Sequence, residues 1–205
     1  MKISPTLTEV KEIAKTGKYD ILPVSCEILS DFITPIEAMR ILQNVSTHCY
    51  LLESAQANEA WGRYTFLGYD PKLEINCIDG HMKLGKLSVE TENPSEYIRQ
   101  ILSEYKSPKF DYLPSFTGGL VGYFSYDYLG YKEKSIRGKA RDTEAFKDVD
   151  LMLFDKVIAF DNLCQKIILI ANMSLDAPET GYNKAIVELK QLSELLTVSY
   201  THLTL

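Results

Sequence analysis

The chain has 205 residues, 45% of them hydrophobic, and a formal net charge of −6, which fits one large globular domain or one and a half smaller ones. No basic block occurs anywhere, so the Lys/Arg footprint that nucleic acid or an anionic membrane surface demands is missing. The four cysteines (Cys26, Cys49, Cys77, Cys164) form no CxxC pair and the three histidines (His48, His81, His202) do not cluster with them, which excludes metal-ligand spacing and leaves reduced, mostly buried thiols as the expectation.

The opening "MKISPTLTEV" has no hydrophobic signal core, and no apolar run approaches the roughly 18 residues of a membrane span. A cytoplasmic protein is expected. "TLTE" at residues 6–9 fits a capping box, and Leu7, Val10, Ile13 and Ala14 then share a helical face until Gly17. "DILPVSCEIL" (20–29) reads as a strand in which Pro23 marks an edge or a bulge. "TPIE" (34–37) repeats the capping device with Pro35 at the first helical position, followed by Met39, Leu42 and Val45 as a buried stripe. "CYLLES", "RYTFLGY", "KLEINCI" and "HMKLGKLSV" read as four strands in close order, with a hairpin turn at Asp79–Gly80. "NPSE" (93–96) repeats the capping device a third time and starts a helix carrying Tyr97, Ile98, Ile101, Leu102 and Tyr105.

"TGGLVGYFSYDY" (117–128) is a glycine-spaced strand. Its glycines suggest close backbone approach, to a neighbouring element or to a ligand. The charged, aperiodic stretch 130–148 is a surface loop. "LMLFDKVIAFD" and "QKIILIAN" form a hairpin around Asn162–Leu163. "DAPE" (176–179) opens a fourth helix with Tyr182, Ile186, Leu189, Leu192 and Leu196 inward. Strands arrive in antiparallel runs with helices interspersed and no βαβ rhythm, so the class is α+β.

Candidate chemistry is sparse. Asp127 and Glu133 lie near the glycine-rich strand, but nothing places them together and they read as solvated surface acids. There is no GxSxG, and the Gly-rich stretch runs on into Val, Tyr and Phe rather than opening a helix as a phosphate cradle would. The apolar pair Leu51–Leu52 runs straight into Glu53 and Ser54. One reading is the exposed finish of a strand. The other is a reader of amine and carboxylate: Glu53 suits a ligand ammonium, the Ser54 hydroxyl suits the rest, and the ligand class is an amino acid.

Taken in order, "YDILPVSCEIL", "TPIEAMRIL", "YLLESAQ", "GRYTFLGYDP", "GGLVGYFSYDY" and "DLMLFDKVIAFDNL…KIILIAN" resemble the N-terminal region of anthranilate synthase component I. The resemblance covers about residues 1–195. Single pieces such as GGxVGY are shared with aminodeoxychorismate synthase component I and other chorismate enzymes; "LLES" with "GRYTFLG" and the long strand pair favour anthranilate synthase. The resemblance implies the α+β fold of that region. It also implies a full-length lyase that converts chorismate and ammonia to anthranilate and pyruvate with Mg²⁺. The ammonia would come from a glutamine amidotransferase subunit, and tryptophan would inhibit. Leu52, Glu53 and Ser54 carry over as tryptophan contacts, and Tyr64 as a further one placed through a gapped comparison.

The family's chorismate and Mg²⁺ ligands belong to a C-terminal domain whose motifs are not in this chain, so an effector half-site without catalysis is expected. Residues 1–197 are read as that N-terminal region and 198–205 ("VSYTHLTL") as an adapter-derived tail. The same region of aminodeoxychorismate synthase and a stand-alone amino-acid-binding module are the alternatives.

Overall fold

The computed structural model describes residues 1–54, 62–133, 135 and 146–203, with side chains described through residue 197. Within it the chain forms two compact units. The first comprises Met1–Asp70, Tyr105–Gly118 and Asp155–Leu205; the second comprises Pro71–Glu104 and Gly119–Phe154.

The first unit is built on a six-stranded sheet. Its strands are β1 (Ile3–Ser4), β2 (Ile21–Leu29), β3 (Cys49–Leu52), β4 (Tyr64–Tyr69), and β10 (Lys156–Asp161) and β11 (Lys166–Ser174) later in the chain, in the order β1-β2-β11-β10-β4-β3. Every neighbouring pair is antiparallel. One face packs against three helices: α1 (Leu7–Lys15), α2 (Pro35–Gln43) and α4 (Pro178–Leu203). Both capping boxes form as the sequence leads one to expect, Thr6 with Glu9 and Thr34 with Glu37. Val10, Leu42, Leu189, Leu192 and Leu196 are buried with Leu67, Ile158 and Leu169 of the sheet. Lys11 pairs with Glu179, and the Tyr182 hydroxyl donates to the Pro5 carbonyl at 2.9 Å, so α4 is tied to α1 and to the chain start. The helical backbone of α4 runs on through Leu203, past Leu196 where the apolar spacing ends.

The other face of this sheet is also covered. Val157, Ala159, Ile168 and Ile170 are buried there with Leu113, and Phe110 and Phe116 pack against them. Two covered faces explain why β10 and β11 are apolar along nearly their whole length instead of alternating. Pro23 sits where the sheet ends: β1 pairs only with Ser25 and Cys26, so the missing proline N–H breaks no ladder.

The second unit has a five-stranded antiparallel sheet. It contains β5 (Leu73–Ile78), β6 (His81–Leu84), β7 (Leu87–Glu90), β8 (Gly119–Phe124) and β9 (Val149–Phe154), in the order β7-β6-β5-β9-β8. Helix α3 (Pro94–Ser103) buries Ile98 against Ile75, Cys77, Met82, Val149 and Leu151.

Several sequence expectations change in detail. "HMKLGKLSV" is two strands, because Gly85 takes a positive φ of 58° at the β6–β7 turn. "LMLFDKVIAFD" is also two strands. β9 pairs within the second sheet and β10 within the first, and Asp155 marks the change, its carbonyl accepting from the Asn172 N–H at 2.8 Å. The "SYDY" end of the glycine-spaced strand enters a 3-10 helix at Tyr126–Tyr131. Val45 and Leu102 are exposed, so the inward residues of α2 are Ala38, Ile41 and Leu42. At α3 the Asn93 side chain makes no cap to backbone. Cys164 is exposed, unlike Cys26 and Cys77. Of the expected 130–148 loop, residue 134 and residues 136–145 lie outside the described residues.

Gly122 settles one open alternative. A Cβ there would stand 2.0 Å from the Asp150 carbonyl oxygen, so the close approach is to strand β9.

Candidate functional site

The "CYLLES" and "RYTFLGY" segments become neighbours. β3 pairs with β4 in a register that sets Leu52 opposite Phe66 and Tyr50 opposite Gly68. Cys49 and Leu51 pack on the helix side of the sheet, so alternation sends Tyr50 and Leu52 to the other face. β4 contributes Tyr64 and Phe66 to that face, packed near Val157 and Ala159.

The result is a row of rings. Tyr64 and Phe66 lie 5.8 Å apart between centroids. Phe66 meets Phe116 edge-on at 5.5 Å, and Tyr50 meets Phe116 edge-on at 6.4 Å. Gly68 makes room for this arrangement, since a Cβ there would come within 2.2 Å of the Tyr50 ring. Tyr50 is deeply buried and its phenol is pushed well above the usual tyrosine range by that burial. Phe66, Tyr64 and Phe116 are only partly covered and Leu52 is exposed, so the row opens towards the end where β3 finishes.

Glu53 and Ser54 follow immediately beyond Leu52 and are solvent-exposed. Carrying the β3–β4 register forward sets Glu53 level with Thr65 and Ser54 level with Tyr64. Leu52 and Tyr64 therefore share a face; continued alternation would send Ser54 to that face and Glu53 to the opposite one, and both residues are exposed where the β3–β4 pairing has ended. Residues 55–61, which lead on from Ser54 towards β4, lie outside the described residues.

Two residues at the same end escape a reading of the sequence. Arg63 reaches the buried Asp161 with two hydrogen bonds, Nε to Oδ1 at 3.1 Å and Nη2 to Oδ2 at 2.7 Å. The Asp161 Oδ1 also accepts the N–H groups of Leu163 and Cys164, at 3.2 and 3.0 Å. Burial pushes this carboxyl up, but the Arg63 and Cys164 hydrogen bonds and the Arg63 charge outweigh it and hold the pKa down at about 2. The Arg63 guanidinium lies over the Tyr64 ring, 4.9 Å from its centroid, a cation–π contact. Almost a hundred residues separate Arg63 from Asp161, so no local pattern announces the pair. The Y-x-L of β3 and Y-x-F of β4, by contrast, are a legible signal for the aromatic face.

In chemical terms the face is a partly covered aromatic surface, and an exposed carboxylate and hydroxyl follow it directly in the chain. Asp127 and Glu133 are exposed. Among the described residues no group of three or more His, Cys, Asp and Glu side chains is placed to hold a metal ion. Among the same residues no helix is long and apolar enough to cross a membrane.

No protein-family model matches the chain. It is 33% identical over 193 residues to anthranilate synthase component 1 of Acetivibrio thermocellus, covering 92% of this chain and 38% of that protein. It is 36% identical over 196 residues to anthranilate synthase component 1 of Pseudomonas aeruginosa, covering 92% and 39%. The crystal structure of anthranilate synthase component I from Streptococcus pneumoniae TIGR4 matches with a TM-score of 0.57 and 26% identity, over 83% of this chain and 36% of that one. The chain thus spans about two-fifths of the length of the curated relatives it matches.

Proposed function

We propose, from the premise that this chain is a relative of anthranilate synthase component I, that it is the N-terminal, tryptophan-sensing region of such an enzyme. The full-length protein would convert chorismate and ammonia to anthranilate and pyruvate with Mg²⁺ in the cytoplasm. A glutamine amidotransferase subunit would deliver the ammonia.

The observation that carries the sensing role is the place of Leu52, Glu53 and Ser54. Leu52 ends β3 at the open end of an aromatic row that includes Tyr64, and Glu53 and Ser54 follow it. An indole fits walls of this kind through area burial and edge-to-face ring contacts. The Glu53 carboxylate suits the ligand ammonium, and the Ser54 hydroxyl suits its carboxylate. Inhibition then requires tryptophan to prefer one of two states of the whole enzyme, with a coupling of about 1–3 kcal/mol.

Calorimetric titration of L-tryptophan into the 205-residue chain tests this. Saturable binding is expected, weakened about tenfold or more in Glu53→Gln and abolished in Ser54→Phe, whose ring would fill the ligand space. No saturable heat with the parent chain at millimolar tryptophan overturns the sensing role. Chorismate, an ammonium salt and Mg²⁺ supplied to the same chain should yield no anthranilate fluorescence; its appearance would overturn the reading that the catalytic machinery lies elsewhere.

A further inference from the structure

Among the ion pairs of the described residues, Arg63–Asp161 is the one with a fully buried partner. The Lys15–Glu12 pair, for comparison, has side chains 70% and 65% exposed. Those of Arg63 and Asp161 are 36% and 0% exposed. A buried carboxylate is expensive to desolvate, and its pairing restores that loss without a net gain over an apolar substitute. What such a pair supplies is geometry, because the planar guanidinium fork fixes two hydrogen bonds at once.

The geometry here converges on one point. Arg63 stands at the foot of β4, where the chain returns after Glu53 and Ser54. Asp161 ends β10. The turn that follows β10 grips the same place: the Asn162 N–H donates to the Arg63 carbonyl at 2.9 Å. The Asn162 side-chain amide reaches the Gly62 carbonyl at 3.5 Å and the Thr65 hydroxyl at 3.4 Å. Arg63 then lays its cation on Tyr64, whose ring lies 5.8 Å from Phe66.

We infer that Asp161 and Arg63 are positioning residues of the effector site: Asp161 anchors the guanidinium, and the guanidinium holds Tyr64 and the start of β4 in place. Neither is assigned contact with the ligand. The inference rests on the tryptophan-sensing reading above and names how that site is kept in shape before ligand arrives. Preorganisation of this kind raises affinity by removing an ordering cost from the binding step.

The test compares L-tryptophan calorimetry and thermal midpoints of the parent chain with Asp161→Asn, Arg63→Lys and a control, Leu192→Val. Leu192 is buried on the helix side of the same sheet, so the control lowers stability without touching the pair. Arg63→Lys keeps the charge and loses the fork. The expected result is affinity about tenfold or more weaker in Asp161→Asn and Arg63→Lys, with Leu192→Val at the parental value. Parental affinity in Arg63→Lys overturns the positioning role. So does a loss in Leu192→Val that matches Asp161→Asn at equal thermal midpoint, because the effect would then be general destabilisation. If Asp161→Asn fails to fold, Arg63→Lys decides. A parent chain that binds no tryptophan overturns the sensing role and this inference with it, whereas parental binding with unchanged variants overturns the positioning role alone.

Discussion

The two sheets bury their strands differently. In the first unit β10 and β11 are covered on both faces, by three helices on one side and by residues around Leu113 on the other. In the second unit β9 alternates between buried and half-buried positions, and β8 runs out into exposed Tyr123 and Phe124. Yet β9 and β10 are mostly apolar strands that follow each other in the sequence with only Asp155 between them. Apolar content alone reports that a strand is buried, not how many of its faces are, and the single residue Asp155 divides the two environments. The first unit is packed on both sides of its central strands. The second buries a smaller core, in which Ile98 of α3 meets Ile75, Cys77, Met82, Val149 and Leu151.

That contrast is sharpest at two glycines. A Cβ on Gly122 of β8 would stand 2.0 Å from the Asp150 backbone oxygen, and the residue has a φ of +151° that L side chains rarely adopt. A Cβ on Gly68 of β4 would meet the Tyr50 ring at 2.2 Å. Backbone in a sheet cannot yield, whereas a ring can shift. Gly122→Ala should therefore cost about 3 kcal/mol or more, the largest effect predicted here. Gly68→Ala should cost about 1–3 kcal/mol, partly relieved when Tyr50→Leu is added. Denaturant unfolding of the three variants checks both. Equal losses at the two glycines, or no relief from the second substitution, would break the contrast between a side-chain neighbour and a backbone one.

The buried acids sharpen it further. In the second unit Asp148 accepts from the Tyr131 hydroxyl at 2.6 Å and the Asp79 N–H at 2.8 Å, both neutral donors. In the first unit Asp161 faces a cation, and its folded pKa of about 2 lies below the ordinary 3.8. A depressed carboxyl contributes stability that is fully present above its unfolded pKa and is lost as pH falls through the folded one. The window is therefore about pH 4 down to about pH 2, and the size is up to about 2 kcal/mol, reduced by the solvent that reaches part-exposed Arg63. The parent should lose this much more stability than Asp161→Asn over that window, as read from urea midpoints at stepped pH. Parallel curves would show that the pair contributes no charge-dependent stability.

What could be read in advance follows the range of each interaction. Thr6–Glu9 and Thr34–Glu37 are contacts three residues apart, so both boxes and the helices they open were legible. The Asp79–Gly80 turn was legible for the same reason, and both residues take positive φ, 48° and 85°. Gly85 is not legible in the same way, because a lone glycine in an alternating strand also fits a bulge. At the candidate site, "LLES" and Tyr64 stood out, but their shared face required the β3–β4 register. The partners of that face, Phe116 and Asp161, come from segments far along the chain. No spacing rule reaches them, because only the folded sheet order brings them to one place.

The smallest predicted effect concerns the helix starts, where the two units differ again. Thr34 completes its box: its hydroxyl accepts the Glu37 N–H at 3.3 Å, and the Glu37 carboxylate accepts the Thr34 N–H at 2.9 Å. Asn93 spends its side chain otherwise, donating to the Glu96 carboxylate at 2.6 Å and accepting from the Ser95 hydroxyl at 2.7 Å, so the first N–H groups of α3 gain no cap from it. Thr34→Ala leaves a backbone donor and the Glu37 carboxylate without their partner and should cost about 1 kcal/mol. Asn93→Ala removes only exposed side-chain bonds and should cost a few tenths of that. Thermal unfolding of the two variants, side by side, measures the difference. A loss at Asn93 equal to that at Thr34 would mean that its side chain caps α3 in solution after all, and that the second unit secures its helix as the first one does.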